Sequence, residues 1–157
     1  LDVSDNPLTT IPQLPDNITH LFLNNNDLRD LHHLPNALTT LKASGNQIAQ
    51  IDRFSDNLEI IELNNNKLVN IPSLPNNVMD LSLNHNNLIN IPNFPNKVCT
   101  IDLTYNHLNE LPHLPDSAEF IYLTGNDNLV TLPNFPSNLV TFTLQNREFN
   151  LQARDLI

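Results

Sequence analysis

Leu81-Ser82-Leu83-Asn84-His85-Asn86-Asn87-Leu88-Ile89-Asn90-Ile91-Pro92-Asn93-Phe94-Pro95-Asn96-Lys97-Val98-Cys99-Thr100 is one period of a pattern that runs through nearly the whole chain. Its Asn86 is matched by Asn6, Asn26, Asn46, Asn66, Asn106 and Asn126, all at twenty-residue intervals. Apolar residues recur at the first, third, eighth, eleventh, fourteenth and eighteenth places, here Leu81, Leu83, Leu88, Ile91, Phe94 and Val98. A fixed period of this length signals a solenoid, in which each unit buries its apolar face only by stacking on its neighbours.

Periods begin at Leu1, Leu21, Leu41, Ile61, Leu81, Ile101 and Ile121, and the seventh carries one extra residue within Gly125-Asn126-Asp127-Asn128-Leu129. A degenerate eighth begins at Phe142-Thr143-Leu144, with Arg147 in place of the asparagine. We therefore divide the chain into seven leucine-rich periods over 1–141 and a degenerate period with a C-terminal cap or linker over 142–157. Phe142, Leu144, Phe149 and Leu151 are apolar enough to seal that end.

Alternation of apolar and polar residues at the start of each period predicts a short strand with one buried face. Eleven of the twelve prolines fall at the twelfth and fifteenth places, as Pro72/Pro75, Pro92/Pro95 and Pro112/Pro115 do. Such pairs forbid a helix and favour polyproline II. The expected fold has seven parallel strands, with an eighth from the degenerate period, lining the inside of a curved solenoid about 35–40 Å long. Its convex side is extended, with little or no helix. In the third period Asp52 and Ser55 replace both prolines, which predicts a looser back there. The asparagines form a structural ladder whose amides satisfy backbone groups where each strand turns away.

The chain has 157 residues and a formal net charge of −10. Such an acidic surface repels phosphate backbones and anionic lipid, so neither nucleic acid nor membrane insertion is expected. No apolar run approaches the ~20 residues of a membrane span. One cysteine, Cys99, excludes an internal disulfide framework. It has no histidine on its own row, and no Gly-rich phosphate loop or Gly-x-Ser-x-Gly motif is present. The histidines are dispersed, with His32 and His33 on the back and His85 and His107 without a third ligand, so no metal or cofactor is expected. Asp80 and Asp102 could approach each other across the sheet, but on an open surface without the enclosure that shifts a catalytic pKa. The chain reads as no enzyme. Asn17-Ile18-Thr19 matches a glycosylation sequon that matters only in a secreted eukaryotic protein.

The doubled-proline consensus, seen in Ile71-Pro72-Ser73-Leu74-Pro75 and Leu111-Pro112-His113-Leu114-Pro115, resembles the short bacterial leucine-rich repeat of type III secreted effectors of the YopM, IpaH, SspH and SlrP kind. The resemblance covers Leu1 to about Val140. It implies a leucine-rich repeat horseshoe secreted from a bacterium into the host cell cytoplasm, where it recognises a host protein. Several such effectors carry a ubiquitin-ligase domain after their repeats. The alternative function is therefore substrate recognition for a larger enzyme whose catalytic domain is not in this chain; Cys99, inside the repeats, does not map onto that nucleophile. Neither an initiator methionine nor the family's helical N-terminal cap is present, so the chain reads as a fragment.

Side chains at the twentieth, second, fourth and fifth places are expected to face concave solvent. Exposed aromatics beside charge have the composition of binding hot spots. One such cluster is His85, Asp102, Tyr105, Phe120 and Tyr122, with Asp80 nearby. A weaker one is Phe22, Lys42, Ile60 and Glu62, for which plain cross-strand packing is the simpler account. The first period would expose Leu1, Val3, Leu8 and Ile11 edge-on, so fraying or end-to-end self-association of the uncapped chain is a further expectation.

Overall fold

The computed structural model describes residues 1–144 and, as a backbone strand, 147–150. Each alternating segment becomes a short strand: β1 (His20–Phe22), β3 (Thr40–Lys42), β5 (Ile60–Glu62), β6 (Asp80–Ser82), β7 (Thr100–Asp102), β8 (Phe120–Tyr122) and β9 (Thr141–Leu144). All seven pair in parallel with their sequence neighbours, and the periodicity dictates the register. Leu21, Leu41, Ile61, Leu81, Ile101 and Ile121 form one continuous row. The inserted residue of the seventh period shifts the next pairing to Ile121 with Phe142.

Two boundaries differ from the sequence expectation. The first period forms an isolated bridge between Asp2 and Phe22, so the parallel strands come from the second to the eighth periods. Its backbone is nevertheless tied in, with Val3 N–H donating to Phe22 at 3.0 Å and Phe22 N–H donating to Leu1 at 3.0 Å. At the other end β10 (Arg147–Asn150) turns back antiparallel to β9, pairing Arg147 with Leu144 and Asn150 with Thr141. The pattern ends there because an antiparallel return leaves no place for a further ladder asparagine. Phe142 is buried and Leu144 packs against the core. Leu151 and the side chain of Phe149 lie outside the described residues.

The core is a stack of like on like. Leu81, Leu83, Leu88 and Val98 are fully enclosed, and Ile91 and Phe94 nearly so. Each such side chain contributes ~1.5–3 kcal/mol by leaving water. Leu8, Ile11, Leu14 and Ile18 of the first period are only partly buried, having neighbours on one side alone.

No helix occurs among the described residues. The second proline of each pair opens a tight turn, as where Val98 N–H donates to the Pro95 carbonyl at 3.3 Å. That role needs only a carbonyl, which proline retains. The first proline supplies no N–H, so the back cannot form a ladder where it is present. His32 and Asp52 replace it in consecutive periods. There β2 (Asp30–Leu31) and β4 (Gln50–Ile51) pair in parallel, and Asp52 N–H donates to Leu31 at 3.3 Å. The expectation of a looser third period is thus overturned. Restoring the N–H donor allows pairing, and the buried Ser55 hydroxyl donates to the Pro35 carbonyl at 2.6 Å.

Asn26, Asn46, Asn66, Asn86, Asn106 and Asn126 are buried, whereas Asn6 is exposed. The Asn86 amide donates to the Leu63 carbonyl at 2.9 Å and the Leu83 carbonyl at 3.0 Å, and its Oδ1 accepts the Leu68 N–H at 3.0 Å. One side chain thereby bonds two groups of the preceding turn and one of its own.

Candidate functional site

The sheet face carries the side chains that the core does not use. Its shape begins with the backbone at the fifth place, which adopts positive φ in each of the first seven periods: Asp5 (58°), Asn25 (55°), Gly45 (70°), Asn65 (54°), His85 (53°), Tyr105 (52°) and Gly125 (77°). Glycine, Asn and Asp tolerate this left-handed geometry. A tyrosine pays ~1–2 kcal/mol for it. Tyr105 is nonetheless there, 51% exposed, with its ring 4.5 Å from that of His85 and tilted 34° to it. A Cβ added to Gly125 would lie 2.5 Å from Tyr105 Cδ1, so the glycine leaves the space in which the Tyr105 ring sits.

Asp102 pairs in register with Tyr122, and Thr100 with Phe120. Phe120 and Tyr122 stand two residues apart on one strand and so share its outward face. His85, Tyr105, Asp102, Tyr122 and Phe120 therefore occupy neighbouring strands β6 to β8 and the turns that follow them. Asp80 pairs with Thr100 and is two strands from Phe120, at the margin of this group.

Asp102 is more embedded than expected, half-buried and bonded internally. One carboxylate oxygen accepts the Thr104 N–H at 3.0 Å and the Thr104 hydroxyl at 2.9 Å, and the other accepts the Asn84 amide at 2.7 Å. The reason is a second polar ladder along the fourth place. Asn24 N–H donates to Ser4 Oγ, Ser44 N–H to Asn24 Oδ1, Asn64 N–H to Ser44 Oγ and Asn84 N–H to Asn64 Oδ1, at 2.9–3.2 Å. The next step departs from this pattern. The Asn84 amide turns to Asp102 and its Oδ1 to His85 Nδ1, 3.1 Å away, and Asp102 receives Thr104 instead. The ladder thus changes partners beside the aromatic group.

The second cluster is built differently. Phe22 pairs with Lys42 and Lys42 with Glu62, and Lys42 Nζ lies 2.9 Å from the Glu62 carboxylate. Phe22 is packed edge-on against His20, ring centroids 6.5 Å apart. Thr40, expected to face solvent, is 7% exposed because it lies in the sheet between His20 and Ile60.

Cys99 is half-buried, and burial first, then Glu119 and Asp80, push its thiol pKa up. A thiol so placed is a poor nucleophile. On the back, His32 lies 2.7 Å from Asp52 and 3.3 Å from Asp30, and the Asp52 hydrogen bond raises its pKa. Among the described residues no three His, Cys, Asp or Glu side chains converge in a metal-binding arrangement.

Sequence reading missed the fourth-place ladder and Glu119, which flanks Cys99. The signals were present: uniformly small polar residues at the fourth place, and an Asp, Asn and Gly bias at the fifth.

No protein-family model matches the sequence, and the search of curated proteins returned no match. The solved structures do match. YopM from Yersinia enterocolitica aligns with a TM-score of 0.79 and 27% identity over 88% of this chain and 35% of that one. YopM from Yersinia pestis, a leucine-rich effector protein, aligns with a TM-score of 0.59 and 22% identity over 88% of this chain and 57% of that one, a likeness of fold alone. This chain thus spans from about a third to somewhat over half of the lengths it matches. The leucine-rich repeat solenoid and its similarity to a bacterial effector are established.

Proposed function

We propose that this chain, a leucine-rich repeat solenoid of the YopM kind, is a non-catalytic protein-recognition module of a secreted bacterial effector. Its sheet face binds a host protein in the host cytoplasm, through the group formed by His85, Tyr105, Phe120, Tyr122 and Asp102.

One observation carries the reading. Tyr105 occupies a left-handed backbone position that favours glycine or asparagine, and the residue is half exposed. A strained, exposed aromatic residue reduces stability, and such strain is typical of sites where it serves contact. Two half-buried rings on β8, Phe120 and Tyr122, extend the surface, in the manner of interface hot spots. The raised thiol pKa of Cys99 supports a non-catalytic reading of this face.

The test is a Tyr105→Asn/Tyr122→Ala variant, since asparagine suits the left-handed backbone and keeps the variant folded. Capture from mammalian cell lysate is compared with wild type, with thermal melts as the fold control. A host protein held by wild type and lost by the variant, with the melt not lowered, is expected. Equal retention of every captured protein by both would remove the site.

A further inference from the structure

We propose that the aromatic group on β7 and β8 takes an arginine-bearing basic segment of its partner protein. This rests on the recognition reading above and names the chemistry of what is recognised.

The charge distribution selects the occupant. The segments 79–85, 99–105 and 119–125, which carry β6 to β8 and their flanks, contain no Lys or Arg; they hold Asp80 and Asp102 on the strands and Glu119 just before β8. Elsewhere on the face Lys42 is neutralised by Glu62 at 2.9 Å. Among the described residues no basic side chain pairs with any of the three carboxylates. The Asp102 carboxylate is held by Asn84 and Thr104 and stands in register beside Tyr122, so its charge is fixed next to a ring. At Cys99, immediately before β7, Glu119 and Asp80 both raise the thiol pKa after burial, in keeping with a local negative field.

Rings beside carboxylates that have no ion-pair partner suit a guanidinium better than an ammonium. A guanidinium stacks flat on Tyr or Phe while its edge donates a fork of hydrogen bonds to carboxylate. The same field disfavours other occupants. Nucleic acid and anionic lipid are repelled, and a second copy of this chain brings its own charge of −10.

The probe is a fluorescent peptide of alternating arginine and serine, titrated with the 157-residue chain by anisotropy. An Asp80→Asn/Glu119→Gln variant is compared with Asp56→Asn/Asp116→Asn, which removes equal charge at exposed turns on the return path. Neither pair includes a residue of the aromatic group. We expect the face variant to bind about tenfold more weakly and the turn variant about twofold more weakly at most, with a lysine–serine peptide of equal charge bound less well than the arginine peptide. Absence of wild-type binding, equal losses in the two variants, or equal affinity for the lysine peptide would overturn the proposal. So would displacement of the peptide by magnesium alone with the same dependence on Asp80 and Glu119, since that would assign the face to a cation. Host-protein capture that depends on Tyr105 and Tyr122 but shows no arginine preference removes only the partner chemistry. Loss of that dependence removes the recognition reading as well.

Discussion

Asn86 bonds to Leu63 and Leu68 of the preceding turn and to Leu83 of its own, and so ties two turns of the solenoid together. Alanine there leaves the buried Leu68 N–H without its acceptor, while the Leu63 and Leu83 carbonyls keep the Asn66 and Asn106 amides, at an expected cost of ~1–3 kcal/mol. Urea denaturation should show a lower midpoint for Asn86→Ala and an unchanged one for the exposed Asn87→Ala; equal midpoints would refute a structural role for the ladder. Such residues are legible in sequence because their spacing repeats without variation. Tyr105 is harder to read. Its place in the period was evident, but its cost was not, since only the backbone reveals that the fifth place is left-handed.

At the scale of elements, the β2–β4 pair shows how a single donor reshapes a surface. Two consecutive periods lacking the first proline acquire a backbone ladder, and His32 and Asp52 then face each other across it. Because Asp52 chiefly raises the His32 pKa, the stabilising bond is fully present below the ordinary imidazole pKa of about 6.5 and is lost as pH rises through the raised value. His32 is exposed, so the effect on global stability is small. A proton NMR titration should place the His32 midpoint above the ordinary value and return it towards that value in Asp52→Asn. An unshifted midpoint in wild type would show that the pair does not form in solution. Sequence reading named the missing prolines but expected looseness, because pairing needs the donor of one turn and the carbonyl of the next at once.

At the scale of the molecule, stability in a solenoid is close to a sum of units and their interfaces. The fourth and fifth periods have neighbours on both sides and enclosed leucines, whereas Leu8, Ile11 and Leu14 of the first are only partly buried. Hydrogen exchange of the 157-residue chain should therefore be fast at Val3 and Asp5 and slow at Leu63 and Leu83, although all four amides are hydrogen-bonded. Uniform protection in dilute monomer would show that the stack opens as one unit.

The sequence by itself determined the period, the strand positions, the extended back, the asparagine ladder and the acidic character, because each follows from residues that recur at fixed spacing and act locally. Only the tertiary structure decided which outward side chains stay free. Asp102 was drawn into a hydrogen-bond network, Thr40 was covered by its neighbours, Lys42 was neutralised by Glu62, and Tyr105 was set over Gly125. Each outcome depends on the side chain one period away, across a strand pairing that brings residues twenty apart into contact.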